Sequence, residues 1–491
     1  MPVLIVSDRA SDWPFKNPNV QVIDAWTYLT DEEFSTRRHV KLFNLCRSYR
    51  YQSTGYYVSL LAEARGHKPL PGVTALQDLK SPAMVRYATG ELDEQIQKSL
   101  APLQSDTFTL SIYFGRNLAK RYDRLSRQLF NIFQVPLLRV NFVKNGQWQL
   151  RSVKAIATND VPENHWPFVV QQATSHFSGR SVSTGRRASM RYDLAILHHP
   201  EEGENSPSNA AALKKFVKAA GQLGIAAELI TRDDYGSLLE YDALFIRATT
   251  FVNHFTYRFA QRAEHEGLAV IDDPTSIARC TNKVYLAELL TRKKIPTPRT
   301  LVVHKANADQ IIPTLGLPCV LKKPDSSFSR GVEKVSTEAE LEEKLADFFS
   351  ESELLVAQEF LPTTYDWRIG VLDGRPFYAC KYYMAPGHWQ IIQQEREGRG
   401  RYGKSETLPI ELAPRKAVQV AQKATALIGD GLYGVDVKES DGNFYVIEVN
   451  DNPNLDAGCE DAVLREDLYR RVMESFLRRI ESRKAATPDH R

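Results

Sequence analysis

Short apolar runs and segments of helical periodicity alternate along most of the chain, which predicts a mixed α/β protein. Residues 3–6, 108–113 and 137–142 read as strands, and residues 56–65 and 118–133 have the apolar spacing of helices; together they form an α/β unit of their own. A second stretch is more regular. It runs from a strand at 194–197, through an amphipathic helix at 210–221 preceded by Pro207 and Ser208, to strands at 227–230 and 243–246. Strands alternating with helices predict a parallel sheet. From Asp273 onward the order changes to helix, antiparallel strands and helix, consistent with an α+β domain built around a cleft. There Thr337 and Glu340 form a capping box that opens a helix to about Phe349, and Pro414 starts another that stops near Gly429. Periodicity is lost over residues 176–190, which are rich in Gly and Ser and read as a boundary.

A chain of 491 residues is expected to hold about three domains at roughly 150 residues each. With 43% hydrophobic and 25% charged residues it has a soluble composition, and no run approaches the roughly 18 apolar residues of a membrane span. Residues 1–8 lack a basic leader and a long apolar core, so they read as a first strand, and the expected compartment is the cytoplasm. Cys46, Cys280, Cys319, Cys380 and Cys459 lie far apart with no CxxC pair, which argues against a zinc site or a disulfide framework. The net charge of +3 is close to balance and gives no reason to expect nucleic acid as a partner. Arg180, Arg186 and Arg187 cluster within the Gly/Ser stretch and read as part of a solvated linker. The polar tail 481–491 is expected to fray.

The strongest chemical feature is Gly434-Val435-Asp436 on one apparent strand followed by residues 445–454, Tyr-Val-Ile-Glu-Val-Asn-Asp-Asn-Pro-Asn, on the next. A turn at 439–443 would make the pair a hairpin. Alternation then puts Glu448 and Asn450 on one face, opposite Ile447 and Val449, and pairing can bring Asp436 beside them. Two carboxylates and an amide are hard oxygen donors that suit Mg²⁺. A surface hairpin with outward charges is the plainer alternative, but the polar run 450–454 exceeds what a simple turn needs. Lysines come next. Lys322 ends the apolar run 317–321 and precedes the loop 325–331, Asp-Ser-Ser-Phe-Ser-Arg-Gly, whose backbone N–H groups and hydroxyls can cradle phosphate.

Lys283, Lys322 with the loop 325–331, residues 358–361 (Gln-Glu-Phe-Leu), Asp366-Trp367-Arg368 and the Asp436, Glu448, Asn450 set resemble, in the same order, the ATP-grasp ligases of the RimK type. The likeness spans roughly residues 190–475, and residues 40–80 resemble the N-terminal domain that accompanies one RimK-like subgroup. It implies a RimK-like N-terminal domain at 1–177, a small parallel-sheet pre-ATP-grasp domain at 190–272 and an ATP-grasp domain at 273–478 that holds the nucleotide in a cleft. ATP and Mg²⁺, with Mn²⁺ as an alternative, are the implied cofactors.

By the same resemblance Lys283 and Lys322 contact phosphate, with Ser327, Ser329 and Gly331 in the closing loop, and Glu359 and Phe360 form the hinge that reads adenine. Asp366 holds the ribose, and Asp436, Glu448 and Asn450 hold the metal. Arg368, with a basic residue such as Lys381 or Lys404, faces the acyl phosphate. In this last segment the chain departs from the family. Where RimK-type ligases carry Arg-Ser-Asn it reads Gly387-His388-Trp389-Gln390, so the duty passes to His388, Lys381, Arg396 or Lys404, or is absent. The implied activity joins a carboxylate to an amine through an acyl phosphate, adding an amino acid such as glutamate to an amino acid, peptide or protein tail. Neither membrane nor nucleic acid is an implied partner, and a homo-oligomer is expected. A nucleotide-binding regulatory module and an ATP-grasp kinase are the alternatives.

Overall fold

The structure, a computed structural model, describes residues 3–13, 20–37, 40–80, 85, 92–178, 190–325, 331–394 and 400–486. They fall into two compact units, Met1–Ser189 with Asp233–Glu240, and Met190–Arg232 with Tyr241–Arg491. Among the described residues no helix is long and apolar enough to cross a membrane. The five cysteines are free thiols, and all but Cys459 are buried.

In the first unit β1 (Val3–Ser7), β2 (Val20–Asp24), β3 (Lys41–Asn44) and β4 (Lys68–Leu70) form a parallel sheet in the order β2-β1-β3-β4. Alternate residues fill two cores, with Leu4, Val6 and Leu42 on one face and Ile5 and Phe43 on the other. Both faces of the sheet are therefore covered, and its strands read as near-continuous apolar runs. β5 (Thr107–Tyr113), β6 (Leu137–Asn145) and β7 (Gln147–Ala155) make an antiparallel sheet. Leu110, Val140 and Phe142 of that sheet pack in one core with Leu125, Leu129 and Phe133 of the helix Asp123–Phe133. This helix starts later than the apolar spacing predicts. The Asp123 carboxylate accepts from the Asn117 N–H at 3.2 Å and from Arg116 at 3.1 Å, which holds residues 116–119 outside it, and Lys120–Tyr122 is a 3₁₀ turn.

The second unit holds three sheets that position the site. β8 (Tyr192–His198), β9 (Ile225–Ile230), β10 (Ala243–Arg247) and β11 (Ala269–Ile271) form a parallel sheet in the order β11-β10-β8-β9. β12 (Thr300–Val303), β13 (Cys319–Lys322), β14 (Val332–Val335) and β15 (Leu355–Glu359) form an antiparallel sheet in the order β12-β15-β13-β14. Its core includes Leu341 and Phe348 of the helix Glu338–Glu351. At the start of that helix the Thr337 hydroxyl accepts from the Glu340 N–H at 3.2 Å, while the Glu340 carboxylate reaches one residue further back than a capping box would, to the Ser336 N–H at 2.7 Å.

The third sheet is built from β16 (Tyr365–Leu372), β17 (Arg375–Tyr383), β20 (Ser405–Leu408), β21 (Leu432–Ser440) and β22 (Asn443–Asn450), in the order β20-β17-β16-β21-β22. β18 (Ile392–Gln394) and β19 (Gly400–Tyr402) pair separately. On one face Trp367, Ile369, Val435 and Val437 share a core with Ala417, Ala421 and Ala424 of the helix Arg415–Thr425. With these residues packed inward, alternation sends Asp366, Arg368 and Asp436 to the opposite face. β21 and β22 are joined through Asp441 and Gly442, both at positive φ (52° and 71°), the geometry of a tight two-residue hairpin in which Asp-Gly is favoured.

The parallel sheet is tied to the end of this hairpin by Arg247, the last residue of β10 and fully buried. Its guanidinium donates to the Ser208 hydroxyl at 3.0 Å, to the Asn452 side-chain oxygen at 2.6 Å and to the Pro453 carbonyl at 2.8 Å, and it also bonds the Pro207 carbonyl.

Candidate functional site

The hairpin β21–β22 sets the site. Asp436 lies directly across from Glu448 and Gly434 from Asn450, while on the other side Asp436 lies across from Arg368 of β16. Arg368 binds Asp436 through both a Nε contact and a 3.0 Å bond from Nη2 to Oδ2, a forked pair. Asn450 Nδ2 donates to the Gly434 carbonyl at 3.2 Å and lies 3.4 Å from Asp436 Oδ2. Gly434 has no alternative at this point, since a Cβ there would stand 2.6 Å from Pro453 and 2.9 Å from the Arg368 side chain.

Other elements bring further charges to this face. Lys283 opens the helix Lys283–Arg292, capped by the Asn282 side chain, and its Nζ lies 3.0 Å from Glu448. Lys322, the last residue of β13, donates to Gln358 Oε1 at 2.7 Å. Asp366 accepts from Lys438 at 2.6 Å and from the Thr363 hydroxyl at 2.9 Å. Lys283, Lys322, Asp366 and Asp436 are all buried.

Burial and pairing set the protonation of these groups. Burial pushes the Lys322 ammonium down to about 8, because the charged form loses its water; Glu448 and Asp366 pull the other way. Burial also drives the Glu448 carboxyl upward, but Lys283 and Lys322 outweigh it and hold Glu448 below its usual value. Asp436 shows the reverse balance, remaining raised by burial despite Arg368. Arg368 is kept firmly charged by Asp436, although burial opposes it. Lys283, Lys322, Arg368 and Lys438 thus stand among Asp366, Asp436 and Glu448, an excess of positive charge that suits a polyphosphate.

The remaining candidates are distributed differently. Gly331 adopts φ 67° and accepts the Lys323 N–H at 2.8 Å at the end of the loop, while Ser327, Ser329 and Arg396 lie outside the described residues. Glu359 ends β15 with its carboxylate forked on the exposed Arg299 at 3.1 Å. The Phe360 ring is covered by Lys334, 4.1 Å from its centroid, and meets Trp389 at 5.9 Å.

Lys381 departs from its expected place. It pairs across from Trp367, on the face opposite Arg368, with its ammonium 5.2 Å from the Tyr365 and Trp367 ring centroids and 3.5 Å from Glu406. Lys404 is exposed, and His388 bonds Gln390 at 3.0 Å. Of the described basic residues expected to face the acyl phosphate, only Arg368 is brought to Asp436. Lys438 and Gln358 are members of the cluster to which the sequence pattern assigned no role. For Lys438 a signal existed: it lies two residues beyond Asp436, hence on the same strand face.

Residues 280–465 match the RimK-like ATP-grasp domain, and residues 25–172 match the RimK-like ATP-grasp N-terminal domain. Over 197 residues the chain is 30% identical to an alpha-aminoadipate–LysW ligase, LysX, from Saccharolobus solfataricus, an alignment covering 39% of this chain and 68% of that one. The chain belongs to the RimK-like ATP-grasp family. Two probable alpha-L-glutamate ligases are similar over 233 residues each: one from Vibrio vulnificus at 27% identity, covering 47% of this chain and 74% of its own, and one from Hahella chejuensis at 28%, covering 46% and 73%. As a RimK-like ATP-grasp protein it is an ATP-dependent ligase.

The donor set fits the metal that such proteins use with ATP. Among the described residues no three His, Cys, Asp or Glu side chains converge to enclose an ion by themselves, whereas Mg²⁺ is held by one or two carboxylates and completes its shell with water and phosphate. Asp436 and Glu448, directly opposed on neighbouring strands with Asn450 alongside, match that requirement.

The forked pair at the centre yields a test of how much the charges depend on one another. Removing one partner of a buried ion pair strands the other, whereas removing both is close to neutral. Arg368→Met should lower the unfolding free energy by about 3 kcal/mol, and the double variant Arg368→Met/Asp436→Asn should recover most of it. Denaturant unfolding of the full chain measures both, and additive losses would show that the two residues are not coupled.

Proposed function

We propose that this ligase adds an α-amino acid, glutamate being the leading candidate, to the carboxylate of an amino acid, peptide or protein through an acyl phosphate. The observation that carries this reading is the Asp436–Glu448 hairpin face with Lys283, Lys322 and Arg368 gathered on it. Relatives named as ligases of glutamate and of aminoadipate support the amino-acid class.

In this reading Lys283 and Lys322, with Ser327, Ser329 and Gly331 in the loop, bind the ATP phosphates. The backbone of Glu359 and Phe360 receives adenine, and Asp366, steadied by Lys438, accepts from the ribose. Asp436, Glu448 and Asn450 hold Mg²⁺, which when bound neutralises charge on the phosphates. Lys283 pairs with Glu448 and Arg368 with Asp436; a polyphosphate offers these cations a second anion.

The substrate carboxylate attacks the γ-phosphorus, ADP leaves, and the resulting acyl phosphate is attacked by the amine with release of phosphate. Charge builds up on the transferring group, so the residues required are cations rather than a protein nucleophile. Arg368 takes the role at the acyl phosphate. Lys381 is set aside by its position on the opposite face and Lys404 by its exposure.

A phosphate-release screen of amino-acid pairs with the full chain tests the reading. Adding hydroxylamine should trap the acyl phosphate as a hydroxamate, whereas a kinase yields none. Glu448→Gln should lower ATP turnover by on the order of 10²-fold and raise the Mg²⁺ concentration needed, because a charged ligand is lost. Unchanged metal dependence would remove Glu448 from the metal site.

The Lys322 shift generates a pH test. With its pKa near 8, Lys322 is protonated below that value and neutral above it, while phosphate favours the protonated form. ATP affinity should therefore be full below about pH 8 and weaken as pH rises, by up to roughly tenfold per unit. In Lys322→Arg, which stays charged, calorimetric titrations should show a flat profile over the same range. A flat profile in the unaltered protein would place Lys322 away from phosphate.

A further inference from the structure

Open parallel sheets bind ligands beyond the carboxyl ends of their strands, where the loops diverge. In the second unit the loops leaving β8 and β10 meet at that edge. Glu202, in the 3₁₀ segment Pro200–Asn205 that follows β8, accepts the Thr249 N–H on Oε1 at 2.9 Å; Thr249 follows β10. Among the described residues its other oxygen, Oε2, is buried without a hydrogen-bond partner. His199 stands beside it, with Nδ1 3.5 Å from Glu202 Oε1 and Nε2 3.3 Å from Glu201. The ring of His254, 6.5 Å from His199, is itself bonded to the Thr256 hydroxyl at 3.0 Å.

A carboxylate oxygen withdrawn from water without a donor is costly, so Oε2 is open to a donor that the described residues do not supply. The location is informative as well. Asn452 Nδ2 donates to the Ala248 carbonyl at 2.7 Å, so the strand end that carries Thr249 is fastened to the segment immediately after Asn450. Glu202 thus lies at the edge of the proposed phosphoryl-transfer face, and as an anion it excludes phosphate and selects a cationic donor. Burial keeps the Glu202 carboxyl above its usual value, although Thr249 and His199 oppose it.

We propose that Glu202, oriented by the Thr249 N–H and flanked by His199, receives the ammonium group of a substrate amino acid. The inference rests on the amino-acid ligase reading. The ammonium can belong to the incoming amine or to the amino group of the carboxylate substrate, and the two sources are separable by assay. Hydroxamate formation needs ATP, the carboxylate substrate and hydroxylamine but no amine substrate, whereas ligation needs both substrates.

Glu202→Gln keeps the shape and the bond to Thr249 but loses the charge. With the amino-acid pair found by phosphate release, it should raise KM for one substrate at least tenfold and leave KM for ATP unchanged. A rise seen already in hydroxamate formation assigns the ammonium to the carboxylate substrate; a rise seen only in ligation assigns it to the amine. The des-amino analogue of the affected substrate should inhibit the unaltered protein and Glu202→Gln equally. Glu202→Asp, which retains the charge but withdraws it, should show a smaller rise and serves if Glu202→Gln folds poorly. Unchanged KM for both substrates, an equal rise in KM for ATP, or a matching loss of inhibition by the des-amino analogue would overturn the assignment. Absence of hydroxamate with every carboxylate tried would overturn the ligase reading, and this inference with it.

Discussion

The second unit depends on one electrostatic constraint: charges of both signs are withdrawn from water on a single face of the β16–β21–β22 ladder, and none can stay there alone. Asp436 is held by Arg368, Glu448 by Lys283 and Asp366 by Lys438. Each pair repays desolvation only through close geometry, which the rigid hairpin and the core beneath it supply. The same constraint explains why the face suits ATP and a divalent cation. Cations already committed to carboxylates need little rearrangement to share them with phosphate, so the charges are pre-organised rather than recruited.

A second dependence links this face to the parallel sheet. Arg247 is buried at the end of β10 and directs its donors to Ser208, Asn452 and the carbonyls of Pro207 and Pro453. Asn452 in turn bonds the Ala248 carbonyl. The segment after Asn450 therefore cannot move without disturbing the strand ends that carry Glu202 and Thr249. This coupling sets the proposed substrate-reading edge next to the phosphate-reading face.

Much of the fold and part of the site could be read directly from the sequence, for a physical reason. Alternation between Glu448 and Asn450 and the Asp-Gly turn are local signals, so the hairpin and the shared side of those two residues follow from period and turn chemistry. The register of that turn alone would set Asp436 across from Ile447; the irregularity between Asp436 and Val437 that pairs it with Glu448 instead has no local signal. The lysines were legible only through their order along the chain, because Lys283 and Glu448 meet across a stretch of sequence that no local pattern spans. Lys381 has the residue type of a phosphate ligand without the position: its parity relative to Arg368 is set by the β16–β17 register, which pairs it with Trp367. The helix expected from residue 118 begins at Asp123 because side-chain bonds to Asn117 and Arg116 compete with helical ones. Glu202 carried no signal, since its meaning lies in the burial of one oxygen.

The central claim is that the hairpin face activates a carboxylate by phosphorylating it. It is tested most directly by following oxygen. With the carboxylate substrate labelled with ¹⁸O, the full chain, ATP and Mg²⁺ should release inorganic phosphate carrying one labelled oxygen for each amide bond formed, because the oxygen that attacks the γ-phosphorus departs with it. Phosphate free of label alongside product formation would contradict an acyl phosphate, and with it the phosphorylating role of the hairpin face.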